Sequence, residues 1–66
     1  MSPLNYLTEY RIRLSKELLR REDYSIAKVA ELVGFEDNLY FSRIFKKRTG
    51  YSPSAYREVV ISEHNS

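Results

Sequence analysis

The stretch SIAKVAELVGFEDNLYFSRIF, residues 25–45, is where the reading of this chain begins. Ser25 is a residue type that caps helix starts, because its hydroxyl accepts a free first-turn amide. Ile26, Val29, Ala30 and Val33 then fall at the spacing of one buried helical stripe. Gly34 stops that helix in a left-handed conformation that glycine adopts without steric cost. A second start signal follows at once. Asp37 is the better cap than Glu36, because its shorter side chain reaches the free amides. Phe41, Ile44 and Phe45 line the inner face of the helix it opens, the stem of Arg48 extends that face, and Gly50 ends it. A short helix, a tight glycine turn and a longer helix with a polar, basic outer face make the pattern of a helix-turn-helix. The second helix of such a unit is shaped to enter a major groove. Ala30 is small enough to let the two helices approach closely. An ordinary three-helix bundle uses the same devices, so the pattern alone leaves both readings standing.

Flanking segments read as helices too. The first is predicted over 3–21, with Ser2 as cap, Pro3 at the position where a missing N–H costs nothing, and Arg20 and Arg21 at the negative end of the helix dipole. The last is predicted over 52–61. It repeats the Ser-Pro start at Ser52-Pro53 and buries Tyr56 and Val59 or Val60. Residues 62–66 show no periodicity and are expected to form a disordered, fraying tail. The expectation is an all-α, four-helix, homeodomain-like DNA-binding module. It forms a single domain over 1–66, with its helix-turn-helix at 25–49.

Sixty-six residues allow a thin core, since a chain of this size buries only about 60% of its unfolded surface. The composition, 42% hydrophobic and 30% charged, is that of a globular chain. There is no cysteine for a disulfide or thiolate metal site, and no apolar run approaches the roughly 20 residues of a membrane span. A cytoplasmic protein with no membrane association is the expectation. The net charge is only +2, but its distribution is uneven: Tyr40 to Arg57 holds Arg43, Lys46, Lys47, Arg48 and Arg57 and no acid. Such a stretch suits a polyanion, or is simply a solvated helix face.

Helical geometry divides the longer helix of the pair. With Phe41, Ile44 and Phe45 inward, Asn38, Leu39, Ser42, Arg43 and Lys46 point outward. Asn38, Leu39, Ser42 and Arg43 are the candidate base contacts. Asn38 suits adenine, Arg43 suits a bidentate pair with guanine, and Leu39 can pack on a thymine methyl. The alternative for Asn38 is a hydrogen bond at the helix start, and the alternatives for Arg43 are a phosphate or solvent. Lys46, Lys47 and Arg48 come later and are candidate phosphate contacts, which position without specifying. Ser25 and Ile26, with Ser54 and Ala55, sit at helix starts whose amides can hold phosphate. Arg57 is assigned to phosphate or to an acidic partner, and Tyr40 to phosphate or to packing.

Residues 2–57 resemble the C-terminal DNA-binding region of the AraC (arabinose-regulator) family of bacterial transcription factors. The matching residues are Ser25-Ile26-Ala27, Val29-Ala30, Gly34-Phe35, Asp37, Tyr40-Phe41-Ser42-Arg43, Phe45-Lys46-Lys47, Gly50, Ser52-Pro53 and Tyr56-Arg57. Upstream, Ser2-Pro3, Tyr6-Leu7, Arg11-Ile12 and Leu18-Leu19 match as well. Two positions depart: Ser15 stands where the family usually has alanine, and Leu39 where it often has a small polar residue. The resemblance implies sequence-specific binding of double-stranded DNA in transcription regulation. It also implies two helix-turn-helix units joined by a long helix. On that view residues 3–21 are the linker helix and residues 25–49 belong to the second unit. The first unit and the regulatory domain of a longer parent are then missing. Leu7, Tyr10 and Leu14, on a different side of the first helix from Ile12, Ser15 and Leu19, are the expected contact with the first unit.

Two other functions compete. A protein-interaction module would dock through the exposed apolar face of helix 3–21, and its binding would respond little to salt. An enzyme is disfavoured: the one histidine, His64, lies in the terminal segment, and there is no cysteine nucleophile, no glycine-rich phosphate loop, and no evident cofactor site or metal-ligand cluster.

Overall fold

A computed structural model describes residues 3–65, with side chains from Tyr6 to Glu63. The described residues form four helices: α1 (Pro3–Leu19), α2 (Ile26–Leu32), α3 (Asn38–Thr49) and α4 (Pro53–Asn65). Ser2, the expected cap of α1, lies outside the described residues.

The two ends of the helix pair follow from local chemistry. Ser25 is extended and its Oγ accepts the Lys28 amide at 3.0 Å, which starts α2. At the other end Gly34 has φ +99°, its amide donates to the Glu31 carbonyl, and the Phe35 amide reaches back to the Ala30 carbonyl at 2.9 Å. This double closure satisfies carbonyls that the helix end would otherwise leave open. It also turns the chain directly into α3. Asp37 caps α3 by accepting the Leu39 amide at 2.9 Å, and Gly50, at φ +87°, closes it with a bond to the Lys46 carbonyl. Ser52 accepts the Ala55 amide and so starts α4 behind Pro53.

Two boundaries differ from expectation. The first helix ends at Leu19, not Arg21: Arg20 and Arg21 donate to the carbonyls of Glu17 and Leu18 in tightened i→i+3 turns. The last helix continues through Asn65, where the sequence suggests disorder after Ile61. Residues 62–65 contain neither glycine nor proline, and Val59, Val60 and Ile61 before them are half-buried, so the backbone has no reason to leave the helix.

The core gathers Ile12 and Leu19 from α1, Val29, Ala30 and Val33 from the α2 end, Phe35 from the turn, and Phe41 and Phe45 from α3. Aromatic rings run through it in a chain: Phe35 to Phe41 at 5.2 Å, Phe41 to Phe45 at 5.6 Å, and Phe45 edge-on to Tyr56 of α4 at 5.4 Å. Ser15 is fully buried among these groups, and its hydroxyl donates to the Ile12 carbonyl at 2.6 Å. A polar atom is tolerated there because its own helix satisfies it. Opposite this buried stripe, Leu7, Tyr10 and Leu14 are 41%, 52% and 37% exposed, so α1 keeps a second apolar face uncovered. Among the described residues no helix is long and apolar enough to cross a membrane.

Candidate nucleic-acid interface

Burial of Phe41 and Phe45 fixes the rotation of α3 about its axis, and thereby what it presents outward. Leu39, at 73% exposure, stands among exposed Asn38, Arg43, Lys46 and Lys47. A single exposed leucine is ordinary on a protein surface; on this basic face it is placed to pack on an apolar group such as a thymine methyl. The Leu39 amide is capped by Asp37, so capping does not occupy the Asn38 side chain. Ser42 is half-buried at the flank of this face, less outward than the sequence suggests. Among the described residues, Arg43, Lys46 and Lys47 have no ion-pair partner. Their charges face solvent together, the arrangement expected where a polyanion supplies the counter-charge.

Three residues of the basic stretch have protein neighbours. Arg57 is held neither by an acid nor in the open. Its Nε donates to the Leu19 carbonyl at 2.8 Å, and its Nη2 donates to the carbonyls of Arg21 and Tyr24 at 3.1 and 2.6 Å. It therefore fastens α4 to the C-terminal end of α1, where orphan carbonyls favour a cation. Arg48 turns inward and pairs with Glu9 of α1, its Nη1 2.8 Å from the Glu9 Oε1. Tyr40 is half-exposed, with its ring 6.0 Å from that of Phe35 at a tilt, so packing is its evident role. At the other expected phosphate positions, the Ser25 hydroxyl is occupied by its cap, Ile26 packs its side chain against the core, and Ser54 is exposed in the first turn of α4. What Ser25, Ile26 and Ser54 can still offer a phosphate is first-turn backbone amide.

Two residues of α1 play parts that the sequence reading does not assign. Glu9 is the partner of Arg48. Arg11 lays its guanidinium 5.7 Å from the centre of the Phe35 ring and directly against the turn. A Cβ at Gly34 would sit 3.1 Å from the Arg11 Nε, a contact the flexible arginine end relieves by a small shift, so the positive φ is what calls for glycine here. The inward register of Arg48 is the one signal that pointed to a protein partner; nothing local identifies Glu9.

Comparison with known proteins agrees with this geometry. A protein-family profile described as "Helix-turn-helix domain" matches residues 1–58. The arabinose operon regulatory protein of Escherichia coli is 49% identical over 57 residues, covering 86% of this chain and 20% of that protein. The HTH-type transcriptional activator RhaR of Pectobacterium atrosepticum is 48% identical over 62 residues, covering 94% and 22%. The MmsAB operon regulatory protein of Pseudomonas aeruginosa is 42% identical over 59 residues, covering 89% and 19%. The chain thus spans about a fifth of the length of the curated relatives it matches. No solved structure matches it.

Proposed function

Because the chain belongs to the AraC-type helix-turn-helix family of transcription regulators, we propose that it binds double-stranded DNA with α3 lying in the major groove. The observation that carries this reading is the outer face of α3, where Leu39, Arg43, Lys46 and Lys47 are exposed together and, among the described residues, the cations have no ion-pair partner. In this reading Asn38, Leu39 and Arg43 meet base edges, with Ser42 at their flank. Lys46 and Lys47 meet phosphates, together with the first-turn amides at Ser25-Ile26 and Ser54-Ala55. Binding needs no catalytic group or cofactor, and its place of action is the cytoplasm, with the DNA.

The exposed face of Leu7, Tyr10 and Leu14 supports a second element of the proposal. In a longer protein it packs against a neighbouring helix-turn-helix unit, and α1 serves as the linker. A single unit then holds DNA with near-non-specific affinity, on the order of 10⁻⁴–10⁻⁶ M at physiological salt, and keeps a modest preference for its own sequence that low salt makes measurable.

The test is fluorescence anisotropy with a duplex that the chain itself selects from a random-sequence pool at low salt, measured against the unselected pool. A preference for the selected duplex, weakening steeply as salt rises, is expected. Failure to select any sequence, or binding indifferent to salt, overturns the reading.

A further inference from the structure

We infer that Glu9 is a positioning residue for DNA recognition, acting through Arg48 to set the angle of α3 against α1. This rests on the reading of α3 as the recognition helix. Arg48 lies about 140° round the helix from Arg43 at 3.6 residues per turn, on the side of Phe41 and Phe45. From there its guanidinium meets Glu9 at 2.8 Å, across 39 residues of sequence. The pair joins the last turn of α3 to the middle of α1.

Its surroundings make Glu9 the centre of the contact. A cleft between the two helices is lined by Glu9, Ile12, Arg13 and Lys16 of α1 and by Arg48 and Thr49 of α3. Glu9 is the one acid among these residues, beside three cations. In Glu9→Gln the cleft keeps Arg48, Arg13 and Lys16 with no acid among them, a like-charge cluster whose repulsion solvent weakens. The other end of α3 is fixed separately, by the Asp37 cap and by the turn held against Arg11. Phe45, fully buried against Phe41 and Tyr56, holds the middle of α3, so loss of the Glu9 contact shifts the last turn beyond it and changes the angle of α3 only slightly. Base-reading side chains need their geometry held within about half an ångström, whereas phosphate attraction tolerates a tilt. Glu9 is thus tied to sequence preference more than to attraction for DNA.

Glu9→Gln tests this with opposite signs for the two roles Arg48 can have. The probes are the duplex selected by the unaltered chain and the random-sequence pool. If Glu9 positions α3, the variant loses about two- to five-fold in affinity for the selected duplex, the scale of one partly exposed ion pair. Affinity for the random pool and the salt slope stay unchanged. The charge-reversed double variant, Glu9→Arg with Arg48→Glu, regains preference for the selected duplex over the random pool. If Arg48 is instead a phosphate contact restrained by Glu9, Glu9→Gln tightens binding to both probes and the salt slope grows by about one. That result overturns the proposal, as does a variant whose ratio of selected to random affinity is unchanged, whether or not its thermal midpoint falls. Should the unaltered chain select no duplex, the reading of α3 fails and this inference falls with it. A chain that selects a duplex and loses it with Arg43→Ala, while Glu9→Gln has no effect, isolates the failure to Glu9.

Discussion

The outer face of α3 and the corner where α4 meets the end of α1 each hold arginine from one basic stretch, in opposite circumstances. At the corner Arg57 is engaged by the carbonyls of Leu19, Arg21 and Tyr24. On the face Arg43 has no ion-pair partner among the described residues and stands beside exposed Leu39. The charge is the same, but one guanidinium has already exchanged water for backbone and the other has not. A cation that closes a helix end contributes to stability and has little left to offer a ligand. A solvated cation contributes little to stability and keeps its binding capacity. The number of cations in a stretch therefore overstates its footprint for DNA: in the proposed reading Arg48 and Arg57 serve the scaffold, and Arg43, Lys46 and Lys47 the interface.

Substitutions should separate the two regions in order of size. Phe45 underlies both, since it packs on Phe41 and on Tyr56. Phe45→Ala should destabilise the fold by about 3–5 kcal/mol, read by chemical denaturation. A retained unfolding midpoint would show that the buried face of α3 is misassigned. Arg57→Ala should cost about 1.5–3 kcal/mol of stability, the range for hydrogen bonds to a charged group, and leave the salt slope of DNA binding unchanged. Lysine should recover only part of this, because it lacks the fork that reaches separate carbonyls. Arg43→Ala should do the reverse. It should weaken binding by about 1–3 kcal/mol and relax preference at one base pair, with the unfolding midpoint unmoved. If Arg57→Ala lowers the salt slope, or Arg43→Ala unfolds the chain, the division between the regions is wrong.

Smaller effects sharpen it further. Lys46→Ala or Lys47→Ala should lower the salt slope by about one without altering base preference. An altered preference at constant slope would exchange their role with that of Arg43. The smallest effect should come from Asp23. A hydrogen bond from Arg21 holds its carboxyl below the ordinary value. Its contribution to stability is then present above the unfolded-state value and is lost as pH falls through the folded one. Because Arg21 and Asp23 are both exposed, Asp23→Asn should change the acid side of a stability–pH curve only slightly and the neutral side hardly at all. A large acid-limb change would mean that the α1–α2 loop is more tightly built than its exposure implies.

The helix pair was legible from residues 25–50 because its signals are local. Ser25, Gly34, Asp37 and Gly50 each act on amides or carbonyls within a few positions, and the stripe of Val29, Ala30, Phe41 and Phe45 follows from periodicity alone. The outward set on α3, apart from half-buried Ser42, followed from the same periodicity. The far end of α4 was not legible, since the residues beyond Ile61 carry neither a stop signal nor a clear stripe. The fates of Arg48 and Arg57 were not legible either. Their partners lie 33 to 39 residues away, and periodicity gives the side a residue faces but not what stands there. The inward register of Arg48 was visible, whereas the choice of Glu9 depends on how α1 crosses α3.

The most direct test of the central claim follows the arginine Nε–H signals of the ¹⁵N-labelled chain by NMR as the selected duplex is added. Arg43 should shift or broaden, while Arg57, fixed to its carbonyls, and Arg48, fixed to Glu9, should hold their positions. A titration in which Arg57 or Arg48 moves and Arg43 stays still would contradict the account.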